Sequence, residues 1–372
     1  MMKNYRRVIL LLFILLFIAC DKKKPPLHKE NKILADSAFA PKRHLLTSEV
    51  KKELDSLLSA HRFNGTVSMS VENWEQYVFE GGYCNFTKLN PITENTHFSI
   101  ASISKQFTAV LLLKLSEQGE INLTDSLARY VLDTPSVYNN INLHKLLTHT
   151  SGLGLSSEPG VAPTYHYSNK GYNFLQEVLE KTTGMPYQQY LSKTVRQLGL
   201  KNTSTARDPL PEQFASAYTR SLQDTTKVPE MPQRIERIGI SVAAGGIIST
   251  AKDLHNWNYH LYSGKILSKD NIAKMTTPYA YFSHYILGEV GYGYGIMIQE
   301  KPVVAYMHTG YVRGAPSLLI YYPAHKLSVA ILSNIANEAE GKKAIFNTHS
   351  QTKNILDRYL VQLQTSTSDT KN

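Results

Sequence analysis

The sequence predicts an α/β protein of the α+β type: an antiparallel β-sheet built from both chain ends, flanked by helices, with an all-helical insertion. Three observations predict it. Apolar residues alternate with period two near residue 65 and again beyond residue 290. Between those stretches the spacing is that of helices broken by Pro and Gly. Helical periods also open and close the folded part.

The elements follow in order. Leu54, Leu57, Leu58 and His61 recur at helical spacing after a Thr47/Ser48 cap. Gly65–Val71 and Gln76–Glu80 read as strands joined by a polar turn at Glu72-Asn73. A helix beginning near Ser102 carries Val110, Leu111, Leu113 and Leu115 and stops at Gly119. Tyr172–Thr183 and Tyr187–Leu198 are helices separated by Gly184-Met185-Pro186. Tyr292–Glu300, Val303–His308, Leu318–Tyr322 and Ser328–Ser333 are strands on short turns, and a helix over Lys342–Gln364 closes the fold. The folded domain is thus expected over 47–364, with the sheet in 47–95 and 286–364, the helical part in 96–285, and a disordered tail in 365–372.

The chain has 372 residues, 42% hydrophobic and 19% charged, too apolar for a disordered protein and too polar for a multi-span membrane protein. Its formal charge of +10 suggests nucleic acid or a membrane surface. Residues 1–47, however, hold ten of the forty bases and three of the thirty acids, which leaves +3 for the rest. A nucleic-acid-binding role therefore has no support in the folded part.

The N-terminus accounts for much of the charge. Lys3, Arg6 and Arg7 precede an apolar run, Val8 to Ala19, then Cys20. Twelve apolar residues span about 18 Å as a helix, short of the roughly 30 Å hydrocarbon core. A basic segment before a short apolar one reads as an export signal, residues 1–19. Phe17-Ile18-Ala19-Cys20 resembles a bacterial lipoprotein cleavage site, which implies a lipid on Cys20 and a membrane-anchored protein facing the periplasm or exterior. The Lys/Pro-rich residues 20–46 read as a flexible tether. Only Cys84 then remains, so no disulfide forms within the mature domain, and a buried apolar role suits it.

Three short motifs could carry chemistry. Ser102-Ile103-Ser104-Lys105 puts an amine one helical turn from a hydroxyl, and a desolvated lysine can activate a serine. The helix start adds free N–H groups where an oxyanion would form. Four other S-x-x-K copies occur, at Ser48, Ser249, Ser350 and Ser368, and a serine at a helix start is most often a cap. Ser102 differs in preceding a long apolar helix, where an inward lysine needs a partner or a function. Tyr167-Ser168-Asn169 offers a phenol as general base and an amide to hold a carbonyl. His308-Thr309-Gly310 ends a strand, with a hydroxyl for a carboxylate and a glycine that lets a substrate approach. The thirteen histidines show no zinc-binding spacing, so no metal and no cofactor is expected.

The order of these motifs resembles the penicillin-recognising serine hydrolases, in particular the class C β-lactamase-like family with its DD-carboxypeptidases, D-aminopeptidases and esterases. Phe98–Ala109 is similar to that family's nucleophile block, Leu146–Leu153 to its Thr-His-Thr-Ser-Gly loop, and Pro163, Gly171-Tyr172 and Gly245–Leu254 follow in the family order. The resemblance covers about residues 50–340 and implies the β-lactamase/transpeptidase-like fold. It implies that Ser102 is acylated, that Lys105 takes part in its deprotonation, and that Tyr167 is the shared general base and leaving-group acid. Asn169, His308, Thr309 and Gly310 would bind substrate, and the backbone N–H groups of Ser102 and Tyr311 would form the oxyanion hole. Which of Lys105 and Tyr167 takes the Ser102 proton stays open. His149 is implied to be a turn-stabilising hydrogen bonder.

Two departures bear on substrate. His308 stands where β-lactamases carry Lys, as in the peptidase branches, and near a pKa of about 6.5 an imidazole holds a carboxylate only weakly at neutral pH. Tyr311 and Arg313 would project near the pocket mouth, where Arg313 could supply carboxylate binding. The sequence thus points to an envelope-anchored serine hydrolase of D-amino-acid peptides, β-lactams or small esters. The alternative is a weakly active or inactive envelope lipoprotein of the same fold that binds cell-wall peptides. The expected partners are a small-molecule or peptide substrate and a membrane, with no nucleic acid, and a monomer is expected.

Overall fold

The computed structural model describes residues 44–131, 135–154, 165–220 and 225–369; the signal segment, Cys20, the tether as far as residue 43 and residues 155–164 lie outside them. Thr47 opens α1 (Ser48–Ala60), its hydroxyl accepting the Val50 N–H at 3.5 Å, and α1 buries Leu54 and Leu58 as their spacing predicts. β1 (Gly65–Val71) and β2 (Trp74–Gly81) meet across Glu72 and Asn73, whose φ values of 47° and 67° give a turn that suits the twist of paired strands. The helices that matter to the site are α2 (Ser104–Glu117), α3 (Asn169–Thr183) and α4 (Ala251–Tyr262). The chain then returns to strands: β3 (Ala280–His284), β4 (Gly288–Tyr292), β5 (Met297–Gln299), β6 (Ala305–Val312), β7 (Ala315–Tyr322) and β8 (Leu327–Ser333). The helix α5 (Asn347–Asp369) comes last.

These eight strands form one sheet in the order β3-β4-β5-β6-β7-β8-β1-β2, with every neighbouring pair antiparallel. Both chain ends therefore build it, as the two period-two regions predict. Both faces are covered, and the alternation sorts the side chains between them. Leu318, Ile320, Val329 and Ile331 pack with Leu54, Leu58, Leu356 and Leu360 of α1 and α5. Leu319, Ala330 and Leu332 share a core with Phe107 and Trp257, which stack at 3.8 Å between α2 and α4. Truncating one such leucine to alanine costs about 2–5 kcal/mol. Where α4 crosses the sheet, His255 bridges Ser68 and Ser328 at 2.9 Å each.

The structure departs from expectation in local detail. The sheet begins at Ala280 rather than 286, because Ala280–His284 hairpins onto Gly288–Tyr292 as an edge strand. The run Tyr292–Glu300 is two strands, since Gly295 turns at φ 69° where a Cβ would lie 2.5 Å from the Lys105 carbonyl oxygen. The strand bearing His308 does not end there but continues to Val312 and turns at Arg313-Gly314. The insertion is not helical throughout: Phe98–Ser99, Ser204–Thr205 and Ile247–Ser249 form a small sheet of their own. The last helix breaks at Phe346 and then runs to Asp369, so residues 365–369 are helical where a disordered tail was expected. Among the described residues no helix is long and apolar enough to cross a membrane.

Candidate active site

The small sheet fixes the approach to Ser102. Phe98 and Ser99 pair with Ser249 and Ile248, and the Ile100 N–H donates to Ile247 O at 3.1 Å. The next residue, Ala101, is held at φ 46°, a left-handed conformation that costs alanine about 1–2 kcal/mol. Ser102 follows in a 3-10 turn at the head of α2, half-buried between the enclosed Ala101 and Ile103.

Lys105 lies one turn further and is fully buried. Its Nζ is 3.4 Å from Ser102 Oγ, 2.8 Å from Asn169 Oδ1 and 2.6 Å from Ala244 O. It also stands 4.7 Å over the Tyr167 ring and 5.3 Å over that of Tyr172. All three hydrogen-bond partners are neutral oxygens, so burial pulls the Lys105 pKa well below that of an ordinary lysine. A neutral amine has two N–H bonds and one lone pair. Ala244 O and Asn169 Oδ1 take the two hydrogens, which leaves the lone pair for the Ser102 hydroxyl.

The chain contains its own contrast. Lys353 is also buried three residues after a serine, but its Nζ meets Asp357 Oδ2 at 2.5 Å and Gln299 Oε1 at 2.6 Å. That lysine is half of an ion pair; Lys105 has the environment of a base.

Ser168 caps α3 by accepting the Gly171 N–H at 3.3 Å, which sets Tyr167 and Asn169 on either side of the cap. Tyr167 hydrogen-bonds to Ser102, and burial raises its pKa above that of a free phenol. At neutral pH it is a protonated phenol, a donor. His149, at φ 58°, accepts the Ser168 N–H on Nδ1 at 3.2 Å and lays its ring 4.4 Å from that of Tyr167. Burial, and then the nearby Lys105, hold this imidazole well below its usual pKa. His149 thus braces the Tyr167–Asn169 segment, a larger part than turn stabilisation alone.

On β6, both His308 nitrogens are turned to the protein: Nδ1 donates to Thr309 O at 2.6 Å, and Nε2 meets the Tyr292 phenol at 3.0 Å. Burial and the Lys105 charge push its pKa down to about 3. His308 therefore stays neutral far below the pH at which an ordinary histidine charges, contrary to a carboxylate-binding role that switches near 6.5. Thr309 Oγ1 lies 3.3 Å from His284 Nε2 and is hydrogen-bonded to Tyr285. His284 accepts the Ile286 N–H on Nδ1 at 3.3 Å, so its proton is on Nε2 and points at Thr309. At Gly310 a Cβ would lie 2.3 Å from both Ile100 O and Ser317 Oγ, so only glycine lets β6 lie against the turn that leads into Ser102.

The sequence-predicted residues Ser102, Lys105, Tyr167 and Asn169 thus meet in one hydrogen-bonded cluster, with Thr309 and Gly310 alongside. Tyr311 and Arg313 lie at the end of β6, and both bond Glu338, Arg313 Nε at 3.2 Å. The carboxylate that Arg313 holds is the chain's own. Cys20 lies outside the described residues. Sequence reasoning missed Ala244, which contributes only a carbonyl, and Tyr285, His284 and Tyr292, which belong to the β3–β4 hairpin. The signal available for the hairpin was the β-forming run Ala280–His284 between Pro278 and Gly288.

The Beta-lactamase family profile matches residues 50–352. Penicillin-binding protein 4* of Bacillus subtilis (strain 168) is 27% identical over 334 residues, covering 78% of this chain and 72% of that protein. A Beta-lactamase of Providencia stuartii is 29% identical over 241 residues, 59% of each chain. The crystal structure of D-amino acid amidase from Ochrobactrum anthropi SV3 shares the fold at a TM-score of 0.73 and 21% identity, covering 86% of this chain and 99% of that one. The family match spans every described residue of the Ser102 cluster, and the chain belongs to the Beta-lactamase family of serine hydrolases.

Proposed function

We propose that this protein is an envelope-anchored hydrolase that forms an acyl-enzyme on Ser102, with Lys105 as the base for acylation. The observation that carries the reading is the buried Lys105 amine, 3.4 Å from Ser102 Oγ with only neutral oxygens as its other hydrogen-bond partners. Ser102 Oγ attacks the substrate carbonyl as its proton passes to Lys105 Nζ. The Ser102 and Tyr311 N–H groups face the resulting oxyanion. When the bond to the leaving group breaks, the Tyr167 phenol gives that group its proton and recovers one from Lys105. Water then cleaves the acyl-Ser102 ester, and Ser102 regains its hydrogen.

The substrate class follows from what the pocket offers. His308 is neutral and faces Tyr292, and Arg313 holds Glu338, so neither supplies a free cation for a substrate carboxylate. The reading favours acyl donors without a carboxylate, amides of D-amino acids and small esters, over penicillins and D-Ala-D-Ala peptides. The likeness to a D-amino acid amidase is consistent with this. The envelope anchor rests on the Val8–Cys20 sequence.

A fluorophosphonate label tests the chemistry: wild type should be labelled and Ser102→Ala should not. A screen across D-amino-acid amides, p-nitrophenyl esters, nitrocefin and a D-Ala-D-Ala peptide then tests the order. Turnover of the last two above the first two overturns the substrate reading, and an unlabelled wild type overturns the whole. Incorporation of a palmitate analogue into wild type but not into Cys20→Ala tests the anchor.

A further inference from the structure

Arg234 sits on the short helix Met231–Arg237 and is only 4% exposed. Its Nη1 donates to two successive carbonyls, Val312 O at 3.1 Å and Arg313 O. Its Nε and Nη2, equally buried, have no hydrogen-bond partner among the described residues, and the Glu230 carboxylate acts on the guanidinium only through its charge. A residue kept only to pack this helix on the sheet would not bury a guanidinium with spare N–H groups, since an apolar side chain of similar size does that better.

Met231 and Ile235 of the same helix share an apolar cluster with Ala101, which precedes Ser102, and with Val312 at the end of β6. The β6–β7 turn that Arg234 grips is also held by Glu338, which bonds the Tyr311 phenol and Arg313 Nε. The Gly314 N–H in turn donates to Tyr311 Oη at 3.2 Å. A Cβ at Gly314, φ 78°, would fall 2.9 Å from the Tyr218 backbone, so the turn has no room to shift on that side. Tyr311 lies between Gly310 and this clamped turn.

We propose that Arg234 and Glu338 are positioning residues that, from two different elements, fix the β6–β7 turn and so aim the Tyr311 N–H at the acyl oxygen on Ser102. The inference rests on the acyl-enzyme reading above. Arg234 grips the main chain and Glu338 the side chains of Tyr311 and Arg313, so the peptide between Gly310 and Tyr311 is constrained at both levels.

The test compares wild type, Arg234→Met, Arg234→Lys and Glu338→Gln, each titrated for reactive Ser102 with a fluorophosphonate and assayed on p-nitrophenyl acetate. Arg234→Met and Glu338→Gln should each lower kcat per titrated serine by about 10-fold or more, with KM within about two-fold and an unchanged circular dichroism spectrum. Arg234→Lys should lose less than Arg234→Met, because an ammonium keeps the charge and can still donate to a carbonyl. A wild-type kcat per site in Arg234→Met overturns the proposal. If that variant does not fold, a wild-type kcat in Glu338→Gln overturns it instead. Equal losses in Arg234→Met and Arg234→Lys, with Glu338→Gln unaffected, reduce Arg234 to packing. A wild type in which no serine titrates removes the acyl-enzyme reading, a result distinct from all of these.

Discussion

Lys105 Nζ donates to Asn169 Oδ1 at 2.8 Å, an amide oxygen in the place where a buried ammonium ordinarily meets a carboxylate. A carboxylate there would hold the proton on the lysine; the amide does not. The pair explains why burial lowers the Lys105 pKa rather than being offset.

Lys105→Met keeps the volume and removes the amine proposed as the base. Acylation of Ser102, followed by fluorophosphonate labelling, should slow by about 10²–10⁴-fold. The melting temperature should change little, because the desolvation cost of the amine is removed while Asn169 Oδ1 and Ala244 O lose their donor. Wild-type kcat/KM should climb with pH as the amine loses its proton, with the midpoint below the usual lysine value of 10.5. The same labelling rate in Lys105→Met would show that the amine is not the base.

Asn169→Asp supplies the missing carboxylate. An anion beside Nζ favours the ammonium, so the Lys105 pKa rises and the ascending limb of the kcat/KM profile moves to higher pH. Activity at pH 7 should fall, and raising the pH should restore part of it. A fall without displacement of the limb would confine Asn169 to substrate binding.

Tyr167→Phe removes the phenol that hydrogen-bonds Ser102 and leaves the ring against that of His149. With an amide, whose leaving amine needs a proton, kcat should drop about 10²-fold or more. With a p-nitrophenyl ester, whose leaving group departs as an anion, the drop should be much smaller. Steady-state assays on both substrates give the ratio, and equal losses would rule out the proton-donor role.

His308, at a pKa of about 3, should leave no mark on the pH profile between 5 and 8. His308→Gln should keep the shape of that profile whatever its effect on rate. A limb near 6.5 present in wild type and absent in the variant would show that His308 charges in the working range.

Acid should destabilise the fold before carboxylates titrate. His255, His284 and His349 are pushed by burial down to about 4, against an ordinary value of 6.5. Between those values the unfolded chain binds protons that the folded one excludes, so stability present at pH 7 is lost as pH falls through 6.5 towards 4. Calorimetry should show the melting temperature falling over that window, and falling less steeply in His255→Asn. A flat melting temperature from pH 7 to 4.5 contradicts the burial of these rings as neutral groups.

Much of the fold was legible because its signals are local. The Glu72-Asn73 turn, the Thr47 cap, the stop at Gly119 and the two-fold alternation at both chain ends each depend on a few neighbouring residues. The edge strand Ala280–His284 was not legible, since its pairing with Gly288–Tyr292 leaves one side without a neighbour and its alternation is weak. The same hairpin carries His284 and Tyr285 to Thr309, so the unread strand is also the unread wall of the site.

The sequence by itself determined that Ser102 and Lys105 share a helix face, because three residues of separation on a helix allow nothing else. It determined equally that Ser350 and Lys353 do. Only the tertiary structure decided between them. The partners of Lys105, Asn169 and Ala244, lie 64 and 139 residues along the chain and bring neutral oxygens. Lys353 instead finds Asp357 one turn away. Whether a buried amine is a base or half of an ion pair depends on the charge of what surrounds it, and long-range packing sets that.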